Sequence, residues 1–214
     1  MTHRPLRLAG SLLAAAVLAA SLAACAPIIV GGAVVTGMVA TDRRTSGAQL
    51  EDEGIELRAA SRVRELTGDR AHVNVTSYNR QVLLTGEVPT EQAKQEVERA
   101  VSRVPNVRAI VNELAVLGNS TLAQRSSDTL VTGKVKASLV DAKDLYANAF
   151  KVVTERGTVY LLGRVTQREA DRATAITRSI SGVQRVVRIL ETITEEELRQ
   201  MMPAPASGAQ TPKP

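Results

Sequence analysis

Few side chains in this sequence are of the types that carry out chemistry. The chain of 214 residues has one cysteine, Cys25, and two histidines, His3 and His72. A single thiol cannot form an intramolecular disulfide, and two distant imidazoles lack the spacing of a zinc site. The acidic runs Glu51-Asp52-Glu53 and Glu195-Glu196-Glu197 have the pattern of solvated helix starts. The sequence contains no phosphate-binding loop and no nucleophile motif, so it does not favour an enzyme and predicts neither a cofactor nor a metal site.

Cys25 lies at a position in the sequence where a cysteine can be covalently modified. A short basic segment, His3 to Arg7, precedes an apolar run from Leu8 to Leu22 that is short and rich in Ala for a membrane span. The run ends in Leu22-Ala23-Ala24-Cys25, which resembles the lipobox of bacterial lipoprotein precursors. The resemblance implies cleavage before Cys25, a diacylglyceryl thioether on its sulfur and acylation of the new N-terminus. Three acyl chains, at about 0.8 kcal/mol per buried methylene, make such an anchor effectively permanent.

The segment after Cys25 is apolar at first and polar later. Ala26, and not Asp, follows the cysteine. Under the usual sorting pattern of such lipoproteins, this implies the outer membrane of a diderm bacterium, with the protein facing the periplasm. The glycine-bearing run from Ala26 to Ala40 is too short to span a membrane. Residues Thr41 to Gly47 have the composition of a polar linker.

The composition argues against one class of binding protein. Aromatic residues make up 2% of the chain, with no Trp, one Phe and three Tyr. A stacking platform for single-stranded nucleic acid is therefore not expected. The formal net charge of +5 is too small by itself to predict a nucleic-acid partner. The cores must be built mainly from Val, Leu, Ile and Ala.

After the linker, the sequence repeats one unit twice. Val82-Leu83-Leu84-Thr85-Gly86-Glu87-Val88 aligns with Val159-Tyr160-Leu161-Leu162-Gly163-Arg164-Val165, and the two glycines are 77 positions apart. Val104-Pro105-Asn106-Val107 aligns with Ile180-Ser181-Gly182-Val183. The repeat indicates two similar domains of roughly 70 residues, each near the lower size limit for an independent core.

Each copy predicts the order helix, strand, strand, helix, strand. A turn separates the first two strands, at Tyr78-Asn79-Arg80 in one copy and Glu155-Arg156-Gly157 in the other. The second helices begin with capping signals, Pro89-Thr90-Glu91 and a Thr-x-x-Glu box from Thr166 to Glu169. The predicted helices are Asp52 to Leu66, Thr90 to Arg103, Ser127 to Val140 and Gln167 to Ser179, and the predicted strands include His72 to Ser77, Gln81 to Gly86, Val107 to Val116 and Val183 to Ile193. This order predicts an α+β fold with the helices on one face of each sheet.

The repeated pattern resembles a known domain family. An apolar strand ending in Gly-x-Val, a helix, and an Asn-Val or Gly-Val entry to a last strand are similar to the BON domain. The linker Ala40 to Arg44 and the segments Ser127 to Leu130 and Val165 to Ala170 resemble the dual-BON outer-membrane lipoproteins more closely. The resemblance implies two tandem BON domains, each αββαβ with its helices packed on a small mixed three-stranded sheet.

The resemblance and the composition together predict the organisation of the chain. We expect a signal peptide over residues 1–24, a lipidated N-terminus and linker over 25–50, a first BON domain over 51–117 and a second over 120–194. A short helical extension and a disordered tail are expected over 195–214.

The second copy carries the positive charge. From Glu51 to Val116 there are 9 basic and 11 acidic residues, whereas from Ser120 to Ile193 there are 12 basic and 7 acidic residues. Near an anionic lipid surface each Lys or Arg can add about 1 kcal/mol of binding, which is enough to orient a protein already tethered there.

The first helix of the second copy has two faces. One is predicted to pack on the sheet: Val131, Val135 and Leu139. In the dual-BON lipoproteins this helix is associated with anionic phospholipid, so the resemblance and an exposed Leu beside lysines predict a phospholipid-binding face: Leu130, Gly133, Lys134 and Ala137, with Lys136 and Lys143 nearby. The family position that matches Leu130 can carry a large aromatic, so Leu implies a weaker anchor. The alternative is a solvated face with one exposed leucine.

Two functional hypotheses follow. In the first, a non-enzymatic lipoprotein binds anionic phospholipid through its second domain and supports envelope integrity; the resemblance adds a role near the division site and in outer-membrane protein assembly. In the second, the protein is an adaptor whose first domain contacts an outer-membrane assembly protein or the cell-wall and division machinery, and lipid serves only as a tether. Exposed edge strands would support such pairing.

Overall fold

The repeated pattern of strands and capped helices folds as two successive α+β domains. The computed structural model describes residues 42–201, all of which belong to one compact unit. The first domain contains α1 (Ser46–Thr67), β1 (His72–Tyr78), β2 (Gln81–Val88), α2 (Glu91–Ser102), β3 (Ala109–Asn112) and β4 (Ala115–Val116). The second contains α3 (Leu122–Asp141), β5 (Phe150–Glu155), β6 (Thr158–Thr166), α4 (Gln167–Arg178) and β7 (Arg185–Ile193), followed by α5 (Glu195–Met201). The predicted α+β class with two tandem units is confirmed.

The first helix of each domain begins earlier than the apolar periodicity predicts. Thr45 caps α1 by accepting a hydrogen bond from the Ala48 amide. Thr121 caps α3 in a capping box with Gln124. The extra turns carry mostly exposed side chains, so the apolar spacing that locates the rest of each helix does not extend into them.

Both sheets have the same mixed topology. In the first, β1 pairs antiparallel with β2 and β2 pairs parallel with β3; in the second, β5, β6 and β7 repeat this arrangement. The last strand of the first domain is interrupted, and its short second part, β4, also pairs with β2. The interruption lies opposite Thr85 and Gly86, where Gly86 has a φ of 109°.

Gly86 and Gly163 lie inside strands β2 and β6, not at strand ends as the sequence pattern indicated. A Cβ added at Gly86 would overlap the carbonyl oxygen of His72 on β1. A Cβ at Gly163 would overlap the carbonyl oxygen of Ala149. The two glycines therefore permit close approach of neighbouring backbones, which is the common reason for glycine within a strand.

One face of each sheet is covered by its own helices. In the first domain, Ile55, Ala59 and Val63 of α1 pack with Val82 and Leu84 of β2. In the second, α3 supplies the three residues predicted for this role, which pack with strands β5 and β6: Val131, Val135 and Leu139. Burying such a side chain contributes about 1.5–3 kcal/mol, so this face forms the main core of each domain.

The opposite faces of the two sheets pack on each other. Their shared cluster consists of Tyr78, Leu83, Tyr160, Leu162 and Ile189, with Val111, Val153 and Val187 beside it. The central strands β2 and β6 thus bury alternate residues in two different cores, which explains why both strands are buried almost without interruption.

A buried carboxylate holds the first hairpin turn of each domain. Asp52 accepts hydrogen bonds from the amides of Asn79 and Arg80, both at 2.7 Å. Asp128 accepts from the amides of Arg156 and Gly157, at 2.8 and 2.9 Å. These four turn residues have positive φ angles, which only glycine adopts without strain. Asp52 is therefore a buried structural group and not a member of a solvated acidic run.

Replacing Asp128 with Ala should lower the free energy of unfolding by about 2–3 kcal/mol, because two turn amides lose their acceptor. Urea denaturation of Asp128→Ala beside Ser127→Ala, an exposed neighbour on α3, measures the effect. A loss in Asp128→Ala no larger than that in Ser127→Ala would show that the turn does not depend on this carboxylate.

Candidate functional site

The exposed face of α3 forms a narrow apolar stripe. Leu130 and Val140 are each 67% exposed, and the small residues Gly133 and Ala137 lie between them at helical spacing. Lys134 lies on one side of this stripe and Lys136 on the other. All four residues predicted for phospholipid contact are exposed on this helix: Leu130, Gly133, Lys134 and Ala137. Val140 extends the stripe and was missed by the sequence analysis.

The lysines around this stripe carry positive charge that the rest of the domain leaves unpaired. Six arginines of the second domain lie within 3.6 Å of a carboxylate: Arg156, Arg164, Arg168, Arg172, Arg185 and Arg188. In contrast, Lys134, Lys136 and Lys143 form no ion pair with a residue of the described range 42–201. Lysines without an acidic partner in the described range thus lie on α3 and two residues after its end.

The segment before α1 has the composition of a polar linker, and two of its arginines bind residues of the folded domains. Both guanidinium nitrogens of Arg43 bind the Glu169 carboxylate of α4, each at 2.7 Å, and one of them also donates to the carbonyl of Arg164 at 3.0 Å. The side chains of Arg43 and Glu169 are only 5% and 1% exposed. Burial alone would raise the pKa of Glu169, but the bonds from Arg43 and the Thr166 amide outweigh it and hold the pKa below its usual range.

Arg44 attaches the same segment to the first domain. Its guanidinium donates to Asp52 at 2.8 Å and lies 4.4 Å from the centre of the Tyr78 ring. Burial acts to raise the pKa of Asp52, but its bonds from Ser77, Arg80 and Arg44 lower it overall. Residues 42–45, which we call the strap, therefore bind both domains.

A polar seam surrounds the apolar contact between the sheets. The bonds across it include Lys151 to Glu56 at 2.6 Å, Asn79 to Glu191 at 2.7 Å, Arg185 to Glu113 at 2.9 Å and Arg156 to Glu87 at 3.3 Å. Most of these side chains are partly exposed, so each ion pair contributes little, and their value is in fixing the register of one sheet on the other. Sequence reasoning missed them because the partners belong to different copies of the repeat.

Cys25 lies outside the described residues, so its lipidation stays a prediction. Among residues 42–201, no helix has both the length and the apolar character needed to cross a membrane.

The chain belongs to the BON-domain family. The BON domain matches residues 55–118 and residues 127–193, which contain the two sheets and most of their helices. The family resemblance stated from the sequence is therefore confirmed, and the protein is a dual-BON protein. The BON and related lipoprotein families are non-enzymatic.

Named relatives define the group more closely. The chain is 36% identical to the outer membrane lipoprotein DolP of Haemophilus influenzae over 193 residues, which cover 89% of this chain and 98% of that protein. It is 32% identical to a 21 kDa hemolysin of Actinobacillus pleuropneumoniae over 71% of this chain and 79% of that protein. Identity to the osmotically-inducible protein Y of Escherichia coli is 28%, over 56% of this chain and 61% of that protein. These relationships support an outer membrane lipoprotein with BON domains, of the DolP-like group.

Removing the Arg43 side chain should destabilise the protein by about 3 kcal/mol at pH 7, because the buried Glu169 carboxylate loses its bidentate partner. The pKa of Glu169 is lower in the folded than in the unfolded chain, so this contribution is present above the unfolded value and is lost as the pH falls through the folded value. The difference between Arg43→Ala and the parent should therefore shrink below about pH 4.

Urea denaturation at several pH values measures this difference. Arg172→Ala, which removes a half-exposed arginine of α4, is the matched control and should change the stability by less than about 0.5 kcal/mol. Equal losses in the two variants at pH 7 would contradict a structural role for the strap.

Proposed function

We propose that this protein is a periplasm-facing outer membrane lipoprotein that binds anionic phospholipid through α3 of its second BON domain and thereby supports envelope integrity. The acyl chains on Cys25 supply the attachment, and α3 selects the lipid and orients the domains. No step of chemistry is required of any residue.

The observation that carries this proposal is the arrangement of α3. A stripe of exposed apolar and small residues lies between lysines that have no acidic partner in the described range. Amphipathic helices of this kind lie in the plane of the membrane interface, with the apolar side among the acyl chains and the cations at the headgroups. Gly133 and Ala137 allow the helix backbone to approach the headgroups closely, and Leu130 and Val140 supply the apolar contact.

The charge of the partner follows from the same helix. Each lysine near an anionic surface contributes about 1 kcal/mol, and this contribution weakens as salt screens it. Phosphatidylglycerol-rich vesicles should therefore bind the protein better than zwitterionic vesicles, and moderate salt should reduce the difference.

Co-sedimentation of residues 26–214 with the two kinds of vesicle tests the proposal without the acyl anchor. The variant Leu130→Glu with Lys134→Glu should lose most of its binding to anionic vesicles. The matched control is Leu57→Glu with Arg58→Glu, which makes the same change in charge on α1 and replaces a leucine that is 75% exposed. Equal binding by both double variants, or equal binding to both kinds of vesicle, would reject α3 as the lipid site.

A second candidate function, a protein adaptor, has one observation in its favour. Leu50 and Leu57 are 72% and 75% exposed on α1 of the first domain, at a spacing of two helical turns. A photocrosslinking residue at position 57 of the lipidated protein should capture a specific envelope protein if the first domain is an adaptor. No specific product from position 57, together with lipid contact from position 130, would leave the phospholipid proposal as the better account.

A further inference from the structure

Three side chains of the types that bind metal ions lie close together where the two domains join. His72 begins β1, Glu87 lies near the end of β2, and Glu155 ends β5 of the second domain. One ligand atom from each lies within 4.8 Å of the other two. Their sequence positions have no metal-binding spacing, because the site forms only when the two sheets pack together.

Glu155 has one hydrogen-bond donor and no ion-pair partner among residues 42–201. The residue is only 7% exposed, and one of its carboxylate oxygens accepts a hydrogen bond from Asn74 at 2.9 Å. Its other oxygen accepts no hydrogen bond, and the carboxylate no ion pair, from any residue between 42 and 201. Glu155 also lines a polar cavity, so a cation can reach its carboxylate.

The other two ligands are already oriented. The Nδ1 atom of His72 lies 3.1 Å from one oxygen of Glu87, which also accepts from the Ser120 amide at 3.1 Å. The second oxygen of Glu87 accepts from Arg156 at 3.3 Å. Arg156 is thus an outer partner that holds one oxygen of Glu87, and a metal ion would take the place of the hydrogen bond between His72 and the other oxygen.

We propose that His72, Glu87 and Glu155 form a zinc site that joins the two BON domains. One imidazole with two carboxylates is a donor set that zinc accepts, whereas magnesium and calcium prefer oxygen ligands alone. Ligand atoms around a tetrahedral zinc are about 3.3 Å apart, so small rotations of these side chains complete the site. A polar cavity of about 370 Å³, lined in part by His72, Glu155, Asp128 and Arg125, provides room for a water molecule as the fourth ligand.

Such a site makes the packing of the two domains on each other dependent on bound zinc. Two ligands belong to the first domain and one to the second, so a bound zinc ion stabilises the packed arrangement over any separated one. This inference does not depend on phospholipid binding, since α3 contributes no ligand to the site.

Zinc titration of the untagged, mature, lipidated protein in detergent tests the proposal, after a chelator has removed divalent ions. Calorimetry should give one zinc ion per chain, and the thermal unfolding temperature should rise with zinc but not with magnesium. His72→Gln and Glu155→Gln should each weaken zinc binding by about 100-fold or more. The control Glu195→Gln, in the exposed acidic run of α5, should leave the affinity unchanged.

X-ray absorption of the zinc-loaded protein supplies a second readout that does not depend on variants. The spectrum should show nitrogen and oxygen ligands with the signature of a single imidazole. Circular dichroism of the metal-free variants shows whether they are folded. No saturable binding, or equal affinity in the parent and both ligand variants, would overturn the proposal, as would a spectrum without imidazole.

Discussion

The packing of the two sheets against each other is the contact on which the rest of this structure depends. The sheet of each BON domain has two faces, and the helices of that domain cover only one of them. The other face must be buried by a different part of the molecule. Here the second face of each sheet is buried by the other domain, through Tyr78, Leu83, Tyr160, Leu162 and Ile189. The near-absence of aromatic residues elsewhere makes the placement of two of the three tyrosines in this contact notable.

This arrangement determines which surfaces remain available. With both faces of each sheet covered, the helices provide the broad outer surfaces, and their outward sides are the places where a partner can bind. On α3 that side is apolar in the middle and basic at its margins, whereas α1 exposes leucines next to a balanced set of charges. The strap adds a second constraint. Arg43 and Arg44 bind the strap to both domains, so the strap helps to hold the two domains together.

The sequence was sufficient for features that depend on local pattern. The apolar spacing of Val131, Val135 and Leu139 predicted which side of α3 packs, and the box from Thr166 to Glu169 predicted the start of α4. Because each of these signals lies within a few residues, it can be recognised in a single chain.

The features that the sequence did not predict depend on distant partners. Glu169 was recognised as a capping residue, but its buried partner Arg43 lies 126 positions away. Asp52 belongs to an acidic run and differs from its neighbours only because the turn of the β1–β2 hairpin and Arg44 surround it. His72 and Glu155 likewise gain meaning only when the two copies of the repeat pack together.

The central claim is that α3 is the lipid-facing surface of the domain pair. It is tested most directly by measuring how deeply each outward position of α3 lies in the membrane. Nitroxide labels can be placed one at a time at positions 130, 133, 137 and 140 of α3, and at 50 and 57 of α1, in the lipidated protein on phosphatidylglycerol-rich vesicles. The account predicts that the α3 labels become accessible to oxygen and protected from a water-soluble nickel complex, while the α1 labels stay in water. Water-like accessibility at every α3 position, or immersion of α1 instead, would contradict it.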